Sequence, residues 1–296
     1  MGFRSSNMLS PSYPYAKNGF AARHGSMLDY SRDGDPMLLE IAASNHAYSL
    51  RYLSPDYTGP VVRIRRDNDN AEANFTPDEI LDTTLTTWVG ANEGHVVTWF
   101  DQSGNGYDAT QATATAQPKL VTGGNVILLN GLPAVRNSVS ANGVGLTHAS
   151  GVFDLAQPNQ SILVAAHNDA TGSAQYAFGG NNLSKRNDIF KSNTDQDINI
   201  QGTTPSLDSN VTVSTSQQLI NGLFNGASSA IRVDTVETTG NAGVASNDGV
   251  VIFNAQPLAS ANNWLGYIQE AVFFPADVSA SNDALENNIN AYYSTY

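Results

Sequence analysis

The sequence predicts an all-β fold, a β-sandwich of the jelly-roll kind, with one short internal helix, a C-terminal helix and an extended N-terminal arm. Three observations carry that expectation. Short runs of β-branched and aromatic residues recur at fairly even intervals, separated by clusters of Gly, Asn, Ser and Pro. Only 14% of the residues are charged, well under the roughly 25% of an average domain; Asn, Ser, Thr and Gly take up the difference, as in loop-rich β proteins. Helical periodicity is confined to two stretches, and no repeat of solenoid or propeller period is present.

Residues 1–37 read as an arm. Met8, Leu9, Tyr13, Tyr15, Phe20, Met27 and Tyr30 follow neither a period of 2 nor one of 3.6, and Pro11, Pro14, Gly19, Gly25 and Pro36 interrupt them. Such a segment builds no core of its own. Its Arg4, Lys17 and Arg23 meet no acid within the first 28 residues, so with a chain net charge of −13 the remainder carries −16. An acidic domain surface argues against nucleic acid as a partner. The arm, through Arg4, Tyr13, Tyr15, Phe20 and Arg23, is expected to dock on an acidic protein neighbour.

Residues 38–296 form the expected domain. Ala47–Leu53 and Val61–Arg66 read as strands joined by turns at Ser54-Pro55-Asp56 and Thr58-Gly59-Pro60, with Arg63 and Arg65 on the solvated side. Asp67–Asn70 is a turn. Thr76–Gly90 reads as one helix: Thr76 and Glu79 make a capping box, Pro77 takes the first helical position, and Gly90 ends it. Ile80, Leu81, Leu85, Trp88 and Val89 make its buried stripe. Val96–Phe100 is a buried strand that stops at Asp101-Gln-Ser-Gly-Asn-Gly106, where Asp101 and Ser103 can bond nearby N–H groups. Further strands are expected at 118–129, 133–136, 160–167, 174–179, 188–191, 197–201, 211–221, 229–237, 249–254 and 264–274. A last helix starts near Ser281, with Leu285, Ile289, Tyr292 and Tyr296 on one stripe.

Several chemistries are excluded or weakened by the residues themselves. No cysteine is present, which removes disulfides, thiol catalysis and cysteine-ligated zinc. No P-loop, dinucleotide fingerprint or Gly-x-Ser-x-Gly elbow appears, and the five histidines show no ligand spacing. No apolar run approaches a membrane span, and none near the start has signal-peptide length, so a chain made in the cytoplasm with no membrane partner is expected. No cofactor is expected. Calcium is the one ion considered, at Asp67–Asn70 or at the EF-hand-like Asp101-x-Ser103-x-Asn105-Gly106, whose twelfth position is Ala112 instead of Glu.

The order Ala47-Tyr-Ser-Leu-Arg-Tyr-Leu, Thr58-Gly-Pro-Val-Val-Arg-Ile-Arg-Arg and Val97-Thr-Trp-Phe-Asp-Gln-Ser-Gly-Asn-Gly-Tyr-Asp-Ala-Thr-Gln resembles the catalytic-domain family of α-L-arabinofuranosidase B. Leu129-Asn-Gly-Leu-Pro-Ala-Val and the ending Gly266-Tyr-Ile-Gln-Glu…Asn287-Asn-Ile-Asn-Ala-Tyr-Tyr extend the likeness over roughly 40–296. The resemblance implies a concanavalin A-like β-sandwich, related to laminin-G-like domains and to domains of bacteriophage virion proteins. It also implies a catalytic Glu after a Gly-Asn turn, a catalytic Asp in a Gly-rich loop before the last strand, and a pair of adjacent cysteines. Here Phe178-Gly-Gly-Asn-Asn-Leu-Ser-Lys-Arg186 and Phe253-Asn-Ala-Gln-Pro-Leu-Ala-Ser-Ala-Asn-Asn263 carry no carboxylate, and the cysteines are missing.

From those departures the chain is read as a non-catalytic structural or adhesion protein of a virion. Its arm would hold other virion proteins, and it would assemble as a homo-oligomer or in many copies. The alternatives are a carbohydrate-binding module for host polysaccharide, using Asp101, Gln102, Asn105, Asn181, Asn182 and Trp264, and a glycoside hydrolase with relocated acids drawn from Asp188, Asp195 and Asp197.

Overall fold

The computed structural model describes residues 36–296 except 142, 150, 152–153, 169–172, 183 and 255–261. The proposed arm contacts Arg4, Tyr13, Tyr15, Phe20 and Arg23 lie outside the described residues.

Two antiparallel layers face each other across one core. The first runs Val236–Gly240, Ser229–Val233, Gln218–Phe224, Asn159–His167 and Gly266–Phe274, and its far edge is shared by His46–Ser49 and Val135–Asn137. The second runs Glu72–Phe75, Val62–Arg66, Gly94–Trp99, Ala109–Thr110, Leu146–His148, Val250–Ile252, Gln175–Gly179, Asp188–Lys191, Asp197–Gln201 and Leu207–Thr212. Lys119–Thr122 pairs with Gly94–Trp99 and touches Val135–Asn137 at one position, joining the layers. This is the expected β-sandwich, and its antiparallel neighbours explain the alternating inward and outward residues.

Alternation sorts the side chains into two apolar clusters. Leu163, Ile220, Ile231, Ile268, Phe273, Phe178, Ile189 and Trp99 fill the space between the layers. Ile162, Val164, Leu219, Val272 and Phe274 point out of the first layer and are covered by Leu38, Leu285, Ile289 and Tyr293. The helix Asn282–Tyr293 therefore lies on the back of the sandwich. Its buried stripe is Leu285, Ile289 and Tyr293, while Tyr296 is exposed beyond the helix end; the expected stripe through Tyr292 and Tyr296 is corrected by one residue.

The internal helix differs from expectation more clearly. It breaks into Pro77–Leu81 and Thr84–Val89, with Thr83 in the left-handed region at φ 77°. Asp82 accepts the Thr84 N–H at 3.0 Å. That local turn outcompetes helix continuation in a run of β-branched threonines, whose helix propensity is low. The capping box at Thr76 is present, with Glu79 N–H to Thr76 Oγ1 at 3.3 Å and Thr76 N–H to Glu79 Oε2 at 2.8 Å. Arg65 is also not on a solvated face: it is buried, donating to Gln117 at 2.8 Å and Asn70 at 3.0 Å.

Where the first strand, the central strand and the back helix meet, Arg51 and Glu270 form a buried bidentate pair, Nε–Oε2 2.9 Å and Nη2–Oε1 3.1 Å. Ser49 Oγ donates to Glu270 at 2.9 Å, Arg51 donates to Asn288 at 2.9 Å, and the guanidinium stacks over the Tyr292 ring at 4.9 Å. Removing one partner strands a desolvated charge, which costs about 3–5 kcal/mol, whereas an apolar replacement of both is close to neutral. Urea denaturation should show that loss for Arg51→Met and recovery of most of it in Arg51→Met/Glu270→Leu. Equal stability of the single variant and the parent would contradict this account of the pair.

Candidate functional site

The loop after Gly94–Trp99 is held by its own side chains. Asp101 is buried and accepts from Ala47 N at 2.8 Å, Ser103 N at 3.0 Å and Tyr107 N at 3.0 Å. Gln102 is also buried; it accepts from Leu53 N at 2.9 Å and donates to the carbonyls of Ser49 and Arg51 at 3.1 and 2.9 Å. Both residues fasten the loop to the first strand and leave no atom for a sugar, which corrects their expected role. Trp264 is 1% exposed, with its indole N–H on the Ala166 carbonyl at 3.1 Å and the His167 ring edge-on against it; it presents no stacking face. Asn105 is exposed and donates to the Asn45 carbonyl at 2.7 Å.

The same accounting bears on calcium. The Asp101 oxygens take N–H and O–H donors, Asp69 takes Arg66 and the Ala71 N–H, and Asp67 takes the Glu93 N–H. These carboxylates close turns; they are not arranged around a common cation. Sequence spacing offers no hint of a different acidic group, Asp195, Asp197 and Asp208, whose oxygens lie within 4.8 Å of one another at the surface. Burial and the neighbouring Asp195 raise Asp208, while backbone donation from Asp197 holds Asp195 low.

Residues 179–182 and 184–188 converge with His148, Gly151, Asp154 and 247–248 on the second layer. Asn181 N–H donates to the Asp248 carbonyl at 2.8 Å, and its amide donates to the His148 carbonyl at 3.0 Å. Asn182 Nδ2 reaches Asp248 Oδ2 at 3.0 Å, and Gly151 N–H reaches Asp248 Oδ1 at 2.6 Å. Lys185 pairs with Asp154. His148 Nδ1 lies 3.2 Å from the Asp108 carbonyl and its ring packs 5.1 Å from Tyr107. The 101–111 and 179–187 loops, both singled out from sequence, thus meet across His148. Sequence reasoning places none of Asp248, Asp154 and His148 there; the Asn247-Asp248-Gly249 turn is the one available signal.

Asp188 lies beneath this rim. Phe178 pairs with Ile189 and both enter the core, so Asp188 and Phe190 alternate to the opposite face, where Phe190 stacks on Tyr176 at 5.0 Å. Arg186 Nη1 stands 3.1 Å from Asp188 Oδ2, with its guanidinium 5.7 Å from the Tyr176 ring. Asp188 is 1% exposed, and neither oxygen has a hydrogen-bond partner among the described residues. Burial raises its pKa from 3.8 to about 7, against the opposing pull of Arg186. Gly179 makes the fit possible: a Cβ there would fall 2.0 Å from Asp188 Oδ1, and one on Gly180 would fall 2.5 Å from Asn247 Oδ1. Of the three acids considered from sequence, Asp188 is therefore enclosed at the rim, while Asp195 and Asp197 sit together elsewhere.

No protein-family model and no curated protein matches the chain. Among solved structures it is similar to an arabinofuranosidase complexed with arabinofuranosyl-α-1,2-xylobiose, at TM-score 0.61 and 17% identity over 88% of this chain. A variant of a GH54 α-L-arabinofuranosidase soaked with 4-nitrophenyl α-L-arabinofuranoside gives 0.62 and 18% over 88%, and a GH54 enzyme soaked with a cyclic sulfate inhibitor gives 0.60 and 17% over 88%. The chain spans 64% of the first of those structures and 65% of the other two. The shared β-sandwich is the finding.

The reading as a non-catalytic virion component does not stand. It takes an empty pair of family positions to mean a surface without usable acids, but the similar structures are glycoside hydrolases, and the fold encloses Asp188 under the loop whose Asn182 binds Asp248. The second expected carboxylate position falls largely on 255–261, outside the described residues.

A raised carboxyl pKa has a defined stability signature. Between the unfolded value of 3.8 and the folded value of about 7, the native chain binds more protons at Asp188 than the unfolded chain does. Stability contributed by this group is thus complete below pH 4 and is lost as pH rises through 7, by on the order of 4 kcal/mol. Asp188→Asn should flatten that slope relative to the parent in denaturation series from pH 4 to 8. Parallel stability curves for the two proteins would contradict the enclosed, protonated carboxyl.

Proposed function

We propose that this domain is carbohydrate-active and cleaves a glycoside at the rim formed by His148, Gly151, Asp154, residues 179–182 and 184–188, and 247–248, with arabinofuranosides as the substrate class. The observation that carries the reading is Asp188, a buried carboxyl without a hydrogen bond at the edge of a glycosidase-like sandwich. Buried polar groups are almost always satisfied, so a carboxyl that Arg186 meets at 3.1 Å without hydrogen-bond geometry calls for a role. A glycosidase needs one carboxyl that keeps its proton near neutral pH to protonate the leaving oxygen, and a second carboxylate to act as nucleophile or base.

In this proposal Asp188 supplies the proton. Asp248, oriented by the Gly151 N–H and the Asn182 amide, is the second carboxylate. Arg186 and the amides of Asn181 and Asn182 hold sugar hydroxyls, and Asn105 offers a further polar contact on the neighbouring loop. The similarity of fold to arabinofuranosidases supports the choice of substrate.

Release of 4-nitrophenol from 4-nitrophenyl α-L-arabinofuranoside tests it. The parent should turn the compound over, and Asp188→Asn and Asp248→Asn should each lower kcat by about 100-fold or more while remaining folded. Folded parent protein that releases nothing above blank between pH 4 and 7 would overturn the proposal, as would full activity in Asp188→Asn.

A further inference from the structure

We infer that the back of the sandwich carries a second carbohydrate site, a pocket at Arg232 that takes one neutral sugar unit. The pocket measures about 190 Å³, and its lining includes Asn221, Leu223, Ala230, Arg232, Glu237 and Asn282. Drug-sized ligands occupy roughly 300–1,000 Å³, so this volume suits a single ring. Ile220 and Ile231 point into the core; Asn221 and Arg232, their strand neighbours, therefore open on the face opposite to the Asp188 layer. The inference rests on the carbohydrate-active reading for its ligand class, but it concerns a different face of the molecule.

The charges decide the chemistry. Arg232 stands among three carboxylates: Glu286 at 3.1 Å, Glu237 at 3.7 Å and Asp283 at 3.7 Å. A cation would meet the guanidinium, and an anion would meet the acids. A neutral polyhydroxylated ligand meets neither obstacle. The 3.7 Å separations exceed hydrogen-bond length, and Arg232 Nε is a buried donor without a hydrogen-bond partner. A sugar hydroxyl can accept from the exposed part of the Arg232 guanidinium while donating to Glu237. Asn221 is held by Gln160 at 2.6 Å and Glu286 at 2.8 Å, so the polar wall is rigid before anything binds. Leu223 and Ala230 offer apolar contact to the C–H face of a ring. With so few atoms engaged, a Kd on the order of 1 mM is expected. Such a site would keep a polymer attached while the other face works on its branches.

The test is an amide-NMR titration of the full chain, in the Asp188→Asn background to prevent turnover, with arabinofuranosyl-α-1,2-xylobiose as probe. Saturable shifts are expected at residues 221–232, 237 and 279–282. Ala230→Met, which fills the pocket, should weaken them at least tenfold, and so should the exposed Glu237→Gln, which keeps the packing. Shifts at 179–188 should be untouched by either variant. Response at 179–188 alone would overturn the second site and leave the proposed function standing. Response at the Arg232 pocket alone would count against the proposed function and uphold the second site. Pocket shifts that survive both variants, or that calcium chloride or sodium phosphate reproduces, would overturn the assignment of a neutral sugar.

Discussion

The sandwich is organised around the desolvated Arg51–Glu270 pair. Glu270 sits in the middle of Gly266–Phe274, the strand that borders Asn159–His167 on one side and both His46–Ser49 and Val135–Asn137 on the other. An isolated buried charge at that position would be prohibitive, so Arg51 must arrive with both nitrogens in register. That requirement places the segment after the first strand, and the Tyr293 and Asn288 contacts then place the back helix. Gln102 binds the carbonyls of Ser49 and Arg51, so the loop that looks most functional in sequence is a brace for this junction.

With the first layer fixed in that way, the second is free to carry loops. Its strands around Asp188 are short, and their connections bring Asn181, Asn182, Lys185 and Arg186 against Asp154, His148 and Asp248. Gly179 and Gly180 are the hinge of the arrangement in a steric sense. Without side chains they let the backbone close on Asp188 and Asn247 at distances that no Cβ could tolerate. The result is a carboxyl removed from water yet beside a guanidinium, a combination in which desolvation outweighs the attraction to Arg186. Chemistry on one face and recognition on the Arg232 face would then be separated by the apolar core.

Much of the fold is legible in the residues alone. The strands Asp188–Lys191 and Asp197–Gln201 are delimited by turn residues and begin and end where the sequence places them. The likeness of the Asp101 loop to arabinofuranosidase B points to the right sandwich. What stays hidden is anything decided by competition between local and distant partners. Asp82 has a local bond that breaks the helix, which periodicity cannot weigh. Trp264, preceded by Asn262 and Asn263, reads in sequence either as core or as a ring exposed for stacking, and only the enclosure by His167 and Ala166 across the strand pair decides for the core. The site is hidden for a related reason: Asp188 and Asp248 lie far apart along the chain, and only the pairing of Gln175–Gly179 with both Asp188–Lys191 and Val250–Ile252 brings their loops together.

The central claim is that a sugar is handled at Asp188 and Asp248. A crystal structure of the Asp188→Asn chain with 4-nitrophenyl α-L-arabinofuranoside locates the ring without relying on rates. The account predicts a furanose ring within hydrogen-bond distance of Asp248 and Arg186, its leaving oxygen directed at residue 188. A ring seated at saturating concentration on any other surface, with this rim unchanged, would contradict it.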